Sequence, residues 1–475
     1  MKIKLLLCHL FLLITISTGM LASCKKSETV EKSETVARID AVLSITATLD
    51  GSTEKFSAAA SSLKSKEILI NFPSYFPVGS NNEIDLSKVK LTITFNKGIK
   101  VITNVPALVD LRSPFLIEIQ NIDGNNEEIN IKANLQQDLD DFKISKGINL
   151  ASWLSTPKYS GAARAAFFTE ADVKLLSEQG FDHIRICVDE VQLWDDSGNK
   201  IREYGFNLLH DAIKWCIKYN VRAIIDMHIT RNHRFTNAEN TLFTDPAEPA
   251  KFVKLWEDLS DELKSYPNSL VAYELLNEPV SKDAKNWNRV SALAINAIRA
   301  KEQNRTIIVG VCTANGSVKY SELTLPSNHR ILSTFHYYGP YLLTAYGLQS
   351  TTGGRKDIPM TYPGRLVPEE WISALPANWQ ETGRRTYDKS VLTANMKSGF
   401  DMAKRLNVPV FVGEFGTINV TPEPARSNWY KDIVAICKEN NAAYTSFDYK
   451  GAGYSVISEG RIPLYPNLIN IILDK

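Results

Sequence analysis

Leu275-Leu276-Asn277-Glu278-Pro279 closes a short apolar run that starts at Val271, and the same grammar recurs along the last two-thirds of the chain. Short apolar runs alternate there with helical patterns. The runs are Ile144–Leu150, His183–Val188, Ala223–Met227, Val271–Leu276, Thr306–Val311, Ile331–His336, Val408–Phe415 and Ala443–Asp448. Such alternation is the signature of a parallel α/β fold, and eight runs is the number that closes a (β/α)8 TIM barrel. The intervening helices carry start and stop signals. Thr169 with Asp172 makes a near capping box, and Gly180 ends that helix. Val290, Leu293, Ala294, Ala297 and Ile298 recur at helical spacing and predict a face packed on the strands.

Upstream of the first run the pattern has period two. Val89, Leu91, Ile93 and Phe95 alternate with polar neighbours, as do Phe115, Ile117 and Ile119, and Ile129–Leu135 follows the turn signal Asp123-Gly124-Asn125. This reads as antiparallel strands with one wet face, and residues 38–136 fit a small all-β, immunoglobulin-like sandwich. No aromatic cluster marks the sandwich as a sugar binder, so a spacer is the favoured reading. The polar stretch 136–142 reads as a linker, and residues 143–475 as the barrel.

At the N-terminus Lys2 and Lys4 precede the apolar stretch Leu5–Ile16, which has the shape of a secretory signal and is too short to span a bilayer. It leads to Leu21-Ala22-Ser23-Cys24, which resembles the bacterial lipobox. The expectation is a signal over residues 1–23, an acylated Cys24, and a flexible tether over 24–37 built on the tandem Lys26-Ser27-Glu28-Thr29-Val30 and Lys32-Ser33-Glu34-Thr35-Val36. An ordinary signal cleaved near Ala22 is the alternative. Localisation is then extracytoplasmic, with the lipid in a bacterial membrane, the outer one being favoured.

The 475 residues are 44% hydrophobic, 23% charged and 9% aromatic, enough to bury a large core, and the net charge of +1 offers no basic footprint for nucleic acid. Cys187, Cys216, Cys312 and Cys437 show no CxxC spacing and sit in apolar patterns, so buried thiols are expected rather than metal ligands or bridges. No heptad suggests assembly, and a monomer is expected.

Two runs end in a glutamate: Asn277-Glu278-Pro279 at the fourth, and Val412-Gly413-Glu414-Phe415-Gly416 at the seventh. Both fall where a barrel places its active site. From about Ile144 onward the chain resembles glycoside hydrolase family 5, the cellulase-type members of clan A, here in a bacterial, Bacteroidetes-like lipoprotein. The resemblance implies that Glu278 is the acid/base and Glu414 the nucleophile of a retaining β-glycosidase. Retention needs two carboxyls about 5–5.5 Å apart, with the acid's pKa raised.

Arg185 alternates with Ile184 and Ile186 and faces the barrel interior, where it needs a carboxylate partner; the family pattern puts it beside Glu414. A core ion pair serving only stability is the plainer alternative. His336-Tyr337-Tyr338 resembles the family's His-x-Tyr, making Tyr338 a positioning residue. His228 matches the third-strand histidine, and Asn277 is implied to contact the sugar 2-hydroxyl. His228, His233, His336 and Glu414 could in principle form a zinc set, but no HExxH spacing occurs and two glutamates need no metal, so neither metal nor cofactor is expected. His183 reads as a satisfied interior histidine.

Trp153 is placed either to stack on a sugar or to cap the barrel rim, the sugar contact being favoured. The family's usual eighth-strand Trp is here Phe447, and Cys312-Thr313-Ala314-Asn315-Gly316 stands where many relatives place an aromatic. The long irregular insert from Gly339 to Tyr387 carries Trp371 and Trp379 as replacement sugar contacts. Trp215, Trp256 and Trp287 lie in helical patterns and read as packing. The expected substrate is a β-linked glycan, cleaved in the manner of an endo-β-1,4-glucanase. A β-mannanase or other β-glycosidase of the family is the alternative, and a non-catalytic glycan-binding lipoprotein the further one.

Overall fold

The computed structural model describes residues 41–58, 60–74, 76, 83–136 and 141–475. The expected signal, Cys24 and the expected tether lie outside the described residues.

Eight parallel strands close into a barrel: β1 Lys146–Leu154, β2 His183–Asp189, β3 Arg222–Ile229, β4 Val271–Glu274, β5 Thr306–Gly310, β6 Ile331–Tyr337, β7 Val410–Phe415 and β8 Ala443–Ser446. β8 pairs with β1, Ser446 opposite Ile148, so no sheet edge remains. Helices fill the outer layer through their apolar stripes. Helix Glu170–Gln179 starts on the expected capping box, Asp172 accepting from the Thr169 N–H at 2.8 Å, and ends where Gly180 takes a left-handed φ of 103°. Helix Ala284–Lys301 shows one departure. Trp287, Val290, Ser291, Ala294, Ile295 and Ile298 are buried, whereas Leu293 is exposed. Val290, Ala294 and Ile298 hold the expected face, which turns toward Ser291 and Ile295 rather than Leu293 and includes Trp287, its indole N–H donating to the Gly310 carbonyl at 2.8 Å.

Phe142, assigned to the linker from sequence, belongs to the barrel. It lies under 10% exposed among Ile224, Ala272, Ile308, Leu332 and Phe411, inward residues near the strand N-termini, and so plugs the end opposite the carboxylates.

The N-terminal unit is a sandwich. A three-stranded sheet (Phe56–Ser57, Val42–Leu49, Val89–Phe95) faces a four-stranded one (Glu67–Pro73, Asn126–Gln136, Phe115–Gln120, Lys100–Val101) across a core that includes Ile45, Ala47, Ile70, Phe72, Ile117 and Ile131. One pair departs from the antiparallel expectation: Glu67–Pro73 runs parallel to Asn130–Gln136. Alternation reports which face is buried and is blind to strand direction.

The insert after β6 is also not irregular. Short helices (Tyr341–Thr344, Gln349–Thr352, Ala377–Arg384) and a ribbon (Gly364–Arg365, Thr386–Tyr387) enclose a buried cluster that includes Leu342, Tyr346, Ile358, Leu366 and Ile372. No helix among the described residues is long and apolar enough to cross a membrane.

Candidate active site

Strand register builds the site. Asn149 on β1 stands opposite Arg185 on β2, Asp226 on β3 opposite Glu274 on β4, and His336 on β6 opposite Glu414 on β7. These side chains converge at the C-terminal end of the barrel. Arg185 is 0% exposed and central. Its Nη1 donates to Glu414 Oε1 at 2.7 Å and to Asn149 Oδ1 at 2.9 Å. Nε and Nη2 clasp both oxygens of Glu274 at 2.8 and 2.9 Å, and Nη2 also reaches Asn277 Oδ1 at 2.9 Å and Asp226 Oδ2 at 3.1 Å. A planar fork is the side chain suited to so many acceptors at once.

Glu414 is held at both oxygens, since the Tyr338 hydroxyl donates to Oε2 at 2.9 Å. Burial, then the facing Glu414, pushes the Tyr338 phenol well up and keeps it a donor. Gly413 leaves room beside it: a Cβ there would lie 2.7 Å from Thr334 Oγ1. Glu278 follows the end of β4 with a left-handed φ of 40°, backbone strain of a kind that collects at functional positions. Its side chain is 36% exposed, against 7% for Glu414. His336 links the two, its Nδ1 2.9 Å from Glu278 Oε1 and 3.6 Å from Glu414 Oε2. One atom each of Glu278, His336 and Glu414 all lie within 4.8 Å of one another.

Burial works against charge on His336, but Glu414 and Glu278 outweigh it and raise its pKa. Burial would likewise raise Glu278, yet the hydrogen bond and charge of His336 bring it below the ordinary carboxylate range. The raised acid expected from sequence is therefore not what the free site favours, because His336 pulls Glu278 toward its charged form. His228 Nδ1 bonds Asp226 Oδ2 at 2.6 Å, which leaves Nε2 as its second ring nitrogen for another partner. Arg185 fixes the Asn277 oxygen and leaves its NH2 as the donor end. His233 is spoken for elsewhere: its Nε2 accepts from the Val280 N–H at 3.0 Å, burial lowers its pKa to about 3, and it braces the chain just after Glu278. His183 is satisfied by Asp182 and Thr445, and the four described cysteines are buried thiols.

One aromatic assignment is corrected. Trp153 is fully buried against Phe168 with its indole N–H on the Arg164 carbonyl at 3.0 Å, so no sugar reaches it. Trp371 is half-buried, packs on the insert's apolar cluster and carries the Arg355 guanidinium over its ring at 5.6 Å. Phe447 is half-buried and meets Tyr454 edge-on at 5.9 Å; Tyr454 in turn meets Tyr338 at 5.9 Å. Trp379 is half-buried beside Tyr341. Asn149, Asp226, Glu274 and Tyr454 were missed from sequence. Asp226 stands two residues before His228, and Glu274 four before Glu278, the period-two offsets that share a strand face.

Residues 19–133 match a domain of unknown function, DUF5018. Endoglucanase C of Acetivibrio thermocellus is 28% identical over 340 residues, which cover 69% of this chain and 98% of that protein. Cellodextrinase A of Ruminococcus flavefaciens is 28% identical over 294 residues, 61% of this chain and 81% of its own. A solved hyperthermophilic endo-β-1,4-glucanase in complex with substrate shares the fold, with TM-score 0.54 at 22% identity over 70% of this chain and 97% of that one. The family described as Cellulase (glycosyl hydrolase family 5) matches residues 145–453, the whole of the barrel's strands and both carboxylates, and the chain belongs to that family and is a glycoside hydrolase.

Proposed function

We propose that the protein is a retaining endo-β-1,4-glucanase working by double displacement. The observation that carries this is the carboxylate pair: an oxygen of Glu278 and one of Glu414 lie within 4.8 Å, the short spacing that leaves no room for a water between acid and nucleophile. The endoglucanase names of the relatives support the substrate class.

Glu414, oriented by Arg185 and Tyr338, attacks the anomeric carbon, and the glycosidic C–O bond breaks as the leaving oxygen takes a proton from Glu278. Water then gives a proton to Glu278 and attacks the same carbon, releasing Glu414. Consuming the Glu414 charge removes one of the two carboxylates that raise His336, so bond formation shifts the balance of the pair toward a protonated Glu278. The Asn277 NH2 and His228 Nε2 orient the sugar.

Reducing-end release across β-glucans, xyloglucan, mannans and xylans, with Glu414→Gln in parallel, tests the reading. Release from β-1,4-glucan by the wild type, none by the variant, and β-anomer appearing first by NMR are expected. Release only from mannan, or α-anomer first, overturns it. The lipobox-like Leu21-Ala22-Ser23-Cys24 supports a lipid-anchored, extracytoplasmic enzyme. Cys24→Ser is expected to release the protein from the membrane fraction; unchanged fractionation counts against the anchor.

A further inference from the structure

Beyond the carboxylates, an aromatic path leaves the site and ends at the surface. Tyr338 donates to Glu414 and meets Tyr454 edge-on, and three residues on Tyr341 stands 44% exposed beside Trp379, ring centroids 6.2 Å apart and planes 33° apart. The turn between Tyr338 and Tyr341 is tied down. Thr344 Oγ1 donates to the Tyr338 carbonyl at 2.6 Å, and the Trp429 indole donates to the Gly339 carbonyl at 2.9 Å. Three residues of chain span at most about 11 Å, which bounds the backbone distance from Tyr338, the residue that holds Glu414, to Tyr341. The Trp379 ring is pinned by its N–H on the Ser350 carbonyl at 2.6 Å. Tyr454 joins the two ends: both Tyr341 and Glu414 stand near enough to contribute, after burial, to raising its phenol.

We propose that Tyr341 and Trp379 form an outlying sugar-stacking platform that holds a β-linked glycan chain as it leaves the catalytic residues past Tyr454. The inference rests on the reading of the substrate as a β-glycan chain. Two tilted rings present a broad apolar surface of the kind on which the apolar face of a sugar packs, at little entropic cost because both rings are already fixed. The platform replaces area lost where the barrel carries Phe447, and it makes affinity depend on chain length.

The test compares an aryl β-cellobioside with cellohexaose in the wild type, Tyr341→Ala, Tyr341→Phe and Trp379→Ala, all as the full mature chain. Tyr341→Ala and Trp379→Ala are expected to raise KM for cellohexaose roughly three- to tenfold, the scale of one aromatic contact. The cellobioside constants should stay within about twofold, and Tyr341→Phe, which keeps the ring, should behave as wild type. Equal effects of Tyr341→Ala on both substrates, or on neither, overturn the platform. A wild type that hydrolyses neither substrate overturns the parent reading, and the platform with it.

Discussion

Arg185 draws acceptors from β1, β3, β4 and β7 onto one guanidinium, and that convergence ties catalysis to stability at a single side chain. A lysine presents a point charge and cannot serve both Glu274 oxygens and Glu414 together. Asp448, two residues past β8, is a second buried charge-bearing group. Ser455 Oγ donates to its Oδ1 at 2.9 Å, whereas Oδ2 has no partner, and burial raises its pKa to about 7. The native state therefore keeps a proton that the unfolded chain loses near pH 4. Stability from this residue is full below about pH 4, falls as pH rises toward 7, and is then level. Asp448→Asn is expected to flatten that decline, read as urea midpoints at pH 4.5 and 7.5; an unchanged difference between the two would refute it.

At the scale of elements, Asp172 shows how a helix cap can also fasten a loop. It completes the capping box of helix Glu170–Gln179 and accepts from Tyr449 at 2.7 Å, Lys450 at 2.5 Å and Arg461 at 2.8 Å, all from the segment after β8. The sequence pattern of a cap was legible; its second duty was not, because the partners lie nearly three hundred residues away. Asp172→Ala leaves the Lys450 ammonium buried without its carboxylate and is expected to cost about 3–5 kcal/mol. Calorimetric unfolding checks this, and a loss no larger than the roughly 1 kcal/mol of an ordinary cap would show that only the cap matters. The same limit applies to the insert: its aromatics were visible in the sequence, but whether a ring faces a cleft or a core depended on packing inside the element.

For the whole molecule, Phe142 seals one end of the barrel and the carboxylates occupy the other. The chain thus enters the barrel at Phe142 on the side away from the chemistry. Phe142→Ala is expected to lower stability by about 3–5 kcal/mol while leaving kcat per folded molecule unchanged. Denaturant unfolding and active-site titration separate the two; a large fall in kcat at full folding would mean that the two ends are coupled.

The sequence by itself determined the eight strands, their order, the two glutamates and the arginine that faces inward, because strand period and short motifs are local properties of the chain. Only the tertiary structure decided that Asp226 and Glu274 meet Arg185, that His336 bridges Glu278 and Glu414, and that Trp153 is buried while Tyr341 reaches the surface beside Trp379. Closure brings distant strands into register and packs loop side chains against one another. The free energy of those contacts is written in no single stretch of chain.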